Sequence, residues 1–353
     1  MTEFPHKYRG GFANNFDLIR LILATSVVFL HFDHLLHDHA VSAVLHYTEF
    51  LSGRAVNAFF VVSGFVIYMS FDRTRNLKKY AISRFFRIYP AYLAAVLIVA
   101  LLPLALSSCG GDDVFSPTWW RYLAVNLVFI NFLQNSLPCL FAGNFDHTLN
   151  GALWTLKIEV MFYAVVPILF DLIRRFGGGL VLALTFVSGL VYSSVLLGLA
   201  ERSGSGLYTT LAHQLPGQMP YFSVGILLYL YYERIAAHWL WLVLLALVLL
   251  VPQLNWTEPV AVGVVVIAAA TGFRTHVNLT KIGDLSYGIY IFHFPIIQVF
   301  LQLNLFQGSP LAQFIAVLGT TFVAAFLSSR LVEQPSATLK TKLTGKRSPG
   351  IAP

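Results

Sequence analysis

The chain has 353 residues, of which 57% are hydrophobic, 15% aromatic and only 11% charged, whereas a soluble domain carries roughly a quarter charged residues. This composition excludes a soluble globular domain: the excess apolar surface has to face lipid, and apolar runs recur from Phe16 to Leu331 with no polar block long enough to fold separately. The net charge of +7 does not indicate nucleic acid, because Lys and Arg sit in short clusters between apolar runs, as in cytoplasmic loops, and no basic face with interleaved aromatics remains.

The first residues, MTEFPHKYRGGFANN, are polar, and no small-residue cleavage site follows the first apolar run. The first helix is therefore expected to be retained. A span needs about twenty largely apolar residues. Eleven stretches approach that length, beginning near Asn15, Arg54, Phe86, Trp119, Ala152, Gly179, Leu207, Ala236, Pro259, Gly283 and Pro310. The positive-inside rule places Lys7 with Arg9, Arg73 to Arg87, Arg174 with Arg175, Arg234, Arg274 to Lys281 and Lys340 to Arg347 on the cytoplasmic side. Eleven crossings do not satisfy that set. The fourth stretch is the most polar, with Trp119, Trp120 and Arg121 at its start and Asn126 and Asn131 within it. It reads as re-entrant or packed inside the bundle.

The expected fold is thus an all-α, polytopic membrane helix bundle of about ten transmembrane helices plus one re-entrant or buried segment. One membrane domain covers residues 1–340 and a short cytoplasmic tail covers 341–353, with both termini cytoplasmic. Two cysteines exclude a disulfide framework and a four-ligand cysteine zinc site. The topology puts Cys109 and Cys139 in one extracytoplasmic region, where an oxidising compartment permits a disulfide that spacing alone does not establish.

Ionisable groups inside apolar spans are costly and tend to mark a pathway or a site. In the first span Asp17 and Arg20 lie three apart, and His31 follows Arg20 by eleven residues. Eleven residues at 3.6 per turn return to the same helix face about 16 Å further along. His31 reads either as an interfacial histidine or as a general base for a hydroxyl nucleophile. The run HFDHLLHDH, with His31, Asp33, His34, His37, Asp38 and His39, offers metal-ligand chemistry. Its spacing matches no zinc pattern, and a solvated histidine-rich loop is the plainer reading; no metal is expected.

Six cations precede the third span in RTRNLKKYAISRFFRIYP. Most are topology signal or anionic-lipid contact, yet Arg84 and Arg87, three apart, put two guanidiniums on one side, where they can clamp a phosphate. Ser63 and Gly64 read mainly as close-packing residues. Further on, Lys157 and Glu159 lie just inside the fifth stretch: Glu159 either neutralises a bundle cation or holds an acceptor hydroxyl or His31. His293 is either a hydrogen-bonded bundle residue or part of a cavity beside Pro295, which frees a backbone carbonyl.

Six motifs in order carry a resemblance across nearly the whole chain. They are Arg20 with His31, Phe59 to Ser70, SRFFRIYP at Ser83 to Pro90, WTLKIEVMFY at Trp154 to Tyr163, SYGIYIFHFP at Ser286 to Pro295, and Glu333-Gln334-Pro335. In these the chain resembles the membrane acyltransferase 3 family, which includes O-acyltransferases of O-antigen, peptidoglycan, exopolysaccharide and nodulation factor. Thr155 stands where the family often has serine, and Val160 replaces a second acidic residue, leaving Glu159 as the carboxylate of that motif. The resemblance implies an O-acyltransferase of the bacterial inner membrane that moves an acyl group, acetyl by the family's default, from cytoplasmic acetyl-CoA to a hydroxyl of an extracytoplasmic glycan or glycolipid. His31, Glu159 and Arg20 are the implied catalytic residues and Arg84 and Arg87 the implied donor site, while Asp17, Trp154 and His293 are expected to touch substrate. The chain is too short to append a hydrolase domain and is expected to act alone or with a separate polysaccharide-assembly partner. A flippase or exporter of a glycolipid precursor is the alternative from another class. It predicts no donor chemistry, and the inverted repeats common in transporters are not evident here.

Overall fold

Runs of Leu, Val, Ile, Phe and Ala satisfy their own backbone hydrogen bonds in lipid only as helices or closed barrels. In the computed structural model, which describes residues 15–36, 42–108, 114–250, 256–272 and 284–344, the described residues form helices and no strand. In order these are α1 (Phe16–Leu36), α2 (Ser42–Thr74), α3 (Leu77–Leu101), the one-turn α4 (Pro103–Leu106), α5 (Pro117–Leu127), α6 (Trp154–Phe176), α7 (Gly178–Ser203), α8 (Gly206–Ala212) and α9 (Leu215–Leu230). After them come α10 (Tyr232–Ala236), α11 (Trp239–Leu250), α12 (Glu258–Thr271), α13 (Ser286–Gln302), α14 (Pro310–Ser328) and α15 (Gln334–Thr344), the last two joined by a π-helical turn at Ser329–Glu333.

Among the described residues, five helical segments are long and apolar enough to cross a bilayer: Phe16–Leu36, Gly53–Thr74, Leu77–Leu106, Gly178–Ser203 and Pro310–Thr344; α11 and α12 are shorter apolar helices. The chain is a multi-pass helical membrane protein. The polar fourth stretch becomes α5, whose eleven residues rise about 16 Å, roughly half a bilayer core. Its polar groups are used internally. Asn126 donates to the Tyr122 and Gln134 carbonyls at 2.8 and 3.0 Å and accepts through its own carbonyl from Tyr92 at 2.6 Å, while the Trp119 indole donates to Ala100 of α3 at 2.6 Å.

Prolines within helices orphan the carbonyl four residues earlier, and two such carbonyls are taken by side chains from elsewhere. Tyr80 donates to Tyr163, freed by Pro167, at 3.1 Å. Asn150 donates to Ile291, freed by Pro295, at 2.8 Å. The carbonyl freed by Pro295 is thereby satisfied, and α13 runs on unbroken through it. Helices α2 and α9 meet at glycine: a Cβ on Gly64 would lie 2.1 Å from the Phe222 carbonyl oxygen, and one on Gly225 would lie 2.1 Å from that of Val61.

The loop between α5 and α6 is tied to the far end of α13. Gln298 donates to the Asp146 and Thr148 carbonyls at 2.6 and 2.8 Å, Asn144 donates back to the Gln298 carboxamide at 2.8 Å, and the Phe141 N–H donates to Gln302 at 2.8 Å. Cys139 in this loop is disulfide-bonded, and Cys109 lies outside the described residues.

Candidate active site

Along α1, Arg20 and His31 occupy one face at two depths, and α13 runs beside it in the same direction, from Ser286 near Arg20 to His293 against His31. At the first depth, Arg20 pairs with Asp17 one turn earlier and lies 3.4 Å from Asp284 Oδ2. Arg87 of α3 lies 2.5 Å from the same oxygen. One carboxylate therefore joins α1, α3 and the start of α13. Its other oxygen accepts from the Ser286 N–H at 3.1 Å and the Ser286 hydroxyl at 2.5 Å. Burial alone would raise the Asp284 carboxyl, but the guanidiniums of Arg87 and Arg20 outweigh it and hold the group well below the usual carboxylate range.

Arg84 differs from its two neighbours. Its Nη2 donates to Ser70 at 3.0 Å, its guanidinium lies over the rings of Tyr80 and Tyr163 at 5.9 and 5.6 Å, and its Nε, like that of Arg20, is buried without a hydrogen-bond partner. Among the described residues no carboxylate stands within ion-pair distance of it. A guanidinium left in this state has donors to spare for an anion.

Arg20, Arg84 and Arg87 open into one cavity, which continues past Ser63, Tyr163 and Glu159 to Thr155 and Tyr290. Helical rise places Tyr290 a turn beyond Ser286 along α13 and Thr155 two turns beyond Tyr163 along α6, so these two close the end remote from the guanidiniums. Their hydroxyls are 2.6 Å apart. Thr155 donates to the Ala152 carbonyl at 3.0 Å, so Tyr290 is the donor between them. A second cavity shares Arg84 and Arg87 and opens the other way, between Asp284, Glu333 and Lys340. The two arginines form the partition between the cavities.

Beyond Tyr290 lie the imidazoles. The Tyr290 ring is 6.0 Å from that of His293. His293 is wholly buried, and its Nε2 is 2.8 Å from Nδ1 of His31. The two rings meet edge to edge, with centroids 5.0 Å apart and planes inclined by 26°, and Phe294 meets His31 at a steep angle at 5.2 Å.

Of the residues singled out in the sequence, Arg20, Arg84, Arg87 and Glu159 share the cavity, and His31 and His293 meet each other. Glu159 accepts from Tyr163 at 2.8 Å and forms no hydrogen bond with His31. Nor does it pair with Lys157, because residues two apart face different sides of a helix; Lys157 donates to Gln214 at 2.5 Å. Trp154 lies at the start of α6 with its ring edge toward His213 at 6.5 Å, and Asp17 is occupied with Arg20. Sequence reasoning missed Asp284 and the Thr155–Tyr290 pair. A lone acid placed just before an apolar run and beside a basic cluster was the available signal for Asp284. Among the described residues no group of three or more His, Cys, Asp or Glu side chains can hold a metal; His37, Asp38 and His39 lie outside them.

Comparison with known proteins identifies the family. A family model described as an acyltransferase domain matches residues 14–330. Nodulation protein 10 of Rhizobium leguminosarum bv. viciae is 28% identical over 97% of this chain and 98% of its own length. The O-acetyl transferase of Shigella phage Sf6 is 23% identical over 91% of this chain and 95% of its own length. Acyltransferase MdmB of Streptomyces mycarofaciens is 32% identical over 38% of this chain and 32% of its own length. No solved structure matches. The chain belongs to the acyltransferase 3 family and is an acyl-transferring membrane enzyme.

Proposed function

We propose that the protein is an O-acetyltransferase of the bacterial inner membrane, with both termini cytoplasmic, that moves acetyl from cytoplasmic acetyl-CoA to a hydroxyl of an extracytoplasmic glycan or glycolipid. One observation carries the reading: three guanidiniums, a cavity, a pair of hydroxyls and two bonded imidazoles follow one another along α1 and α13. The printed name of the phage relative, O-acetyl transferase, supports acetyl as the group moved.

The donor chemistry fits the residues. Coenzyme A carries phosphates that cannot enter lipid, and Arg84, with its unsatisfied Nε, and Arg87 hold them at the cavity mouth. The uncharged pantetheine arm enters between α2, α3, α6 and α13 and presents its thioester beyond Tyr290. His31 takes the proton of the acceptor hydroxyl as the oxygen attacks the thioester carbonyl. The tetrahedral intermediate then collapses, the C–S bond breaks, and the thiolate of coenzyme A leaves and recovers the proton from the imidazolium. An acyl-histidine route, in which His31 first accepts the acetyl group, uses the same placement. Arg20 and Asp17 hold the mouth in shape through Asp284, Glu159 presents an acceptor to the polar wall of the cavity, and Trp154 contributes at the acceptor side.

The test is transfer of radiolabel from acetyl-CoA by purified protein, wild type beside His31→Ala, with the extracytoplasmic glycans of the host as mixed acceptor. Labelled glycan or protein is expected with the wild type alone. Retained transfer by the folded variant would eliminate both routes.

A further inference from the structure

On that reading of His31, we infer that His293 is a positioning residue, one that fixes the tautomer of His31 and leaves its Nε2 bare to receive the proton. The argument starts from a backbone carbonyl. Nδ1 of His293 lies 3.0 Å from the Ile289 oxygen, and a carbonyl only accepts, so Nδ1 of His293 carries a hydrogen. A neutral imidazole carries one N–H, which makes Nε2 of His293 an acceptor. The atom 2.8 Å away is Nδ1 of His31, and this nitrogen must therefore be the donor. Nε2 of His31 is left with its lone pair.

The opposite polarity would need His293 to carry charge. Its ring is wholly buried beside Tyr290, Phe294 and His31, with no carboxylate against it among the described residues, and a lone buried charge is costly. The sequence Ile289 carbonyl, His293, His31 is a relay of hydrogen bonds in which each member constrains the next, with the Val27 carbonyl one turn earlier as a further acceptor against the His31 ring. The small angle of 26° between the two hydrogen-bonded rings and the Phe294 edge fix the ring plane as well. When His31 takes a proton, its Nδ1–H still points at the bare nitrogen of His293, and the bond becomes charge-assisted. His293 thus supports both states of His31 without itself touching the reacting atoms.

Two replacements separate positioning from packing. In His293→Gln the carboxamide oxygen reaches the place of Nε2 and still accepts; in His293→Phe the ring volume stays and the acceptor is lost. With acetyl-CoA as donor and the host glycans as acceptor, His293→Phe is expected to lower kcat about 100-fold, the lower end for losing a competent general base, with the donor KM unchanged. His293→Gln is expected to recover at least tenfold of that loss. Independently of activity, ring ¹⁵N spectra of the full chain in nanodiscs, with His31→Ala assigning the signals, are expected to report a protonated Nδ1 and a bare Nε2 for His31. Phenylalanine at 293 should scramble that state and glutamine preserve it. An Nε2–H tautomer of His31 in the wild type would overturn the inference, whether or not either variant folds, as would an unchanged kcat in a folded His293→Phe. Should His31→Ala retain transfer while the spectra hold, the functional reading fails and the tautomer assignment stands.

Discussion

Asn150→Ala tests how the bundle closes around the imidazoles. Asn150 is buried and makes two bonds: its Nδ2 donates to the Ile291 carbonyl at 2.8 Å, and its Oδ1 accepts from the Ala152 N–H at 3.2 Å. The first exists because Pro295 has no N–H to offer Ile291. A buried polar group left unsatisfied costs about 1–3 kcal/mol, while hydrogen bonds between helices in membranes average nearer ~0.6 kcal/mol with a ceiling of about 1.7. Taking about 1 kcal/mol for each bond gives a loss of about 2 kcal/mol for Asn150→Ala. Pro295→Ala restores a backbone N–H four residues after Ile291, so in that background the same change should cost about 1 kcal/mol less. Reversible unfolding in mixed micelles, followed by tryptophan fluorescence, measures all four corners of the cycle. Additivity within about 0.5 kcal/mol would refute the claim that Asn150 substitutes for the missing N–H.

Two further outcomes follow from the guanidinium cluster. Asp284→Asn removes the oxygen shared by Arg20 and Arg87 and is expected to cost about 2 kcal/mol, less than the ~3–5 for a fully buried pair, since Arg87 is a third exposed and Arg20 keeps Asp17. Because the folded carboxyl sits below its unfolded value, its contribution is complete above the ordinary carboxylate pKa of about 4 and fades only as the pH falls through the depressed folded value. Unfolding midpoints of wild type and variant should therefore differ by a constant amount from pH 5 to pH 8 and converge only in acid. Arg84→Ala is expected to raise the KM for acetyl-CoA about tenfold or more, the equivalent of one charged hydrogen bond of about 1.5–3 kcal/mol, with kcat less affected. Initial rates across donor concentrations measure it.

The helices that the sequence made legible are those whose apolar runs outlast a bilayer, and the eleven-residue step from Arg20 to His31 fixed one face of α1 before any tertiary contact was known. Arg84 and Arg87 were readable for the same reason: three residues apart on a helix is already a spatial statement. Contacts between distant segments were not. His31 and His293 are 262 residues apart, and nothing in SYGIYIFHFP specifies which helix packs against it. Asp284 was passed over because it stands at the very edge of its apolar run rather than within it. For Glu159 the sequence left a bundle cation, an acceptor hydroxyl and His31 open as partners, whereas its hydrogen bond is to Tyr163, one turn along the same helix. That choice depends on how α6 is rotated in the bundle, and the charged and aromatic residues on both of its faces leave the rotation open. The polar fourth stretch was legible as exceptional; Tyr92, Ala100 and Gln134 supply the reason.

The bonded hydroxyls of Thr155 and Tyr290 have a consequence for the cell as well as for the reaction. An enzyme that lets a charged donor in from one side of a membrane and serves an acceptor on the other has the makings of a channel, and a continuous water column through it would discharge the proton gradient. Here the cavity that begins at the arginines ends where one hydroxyl is bonded to the next and an aromatic ring stands before the imidazoles. Parting that contact requires something to take its place, and the incoming acyl arm is the group shaped to do so. On the proposed function, the same two side chains would admit the substrate and keep the membrane energised between turnovers.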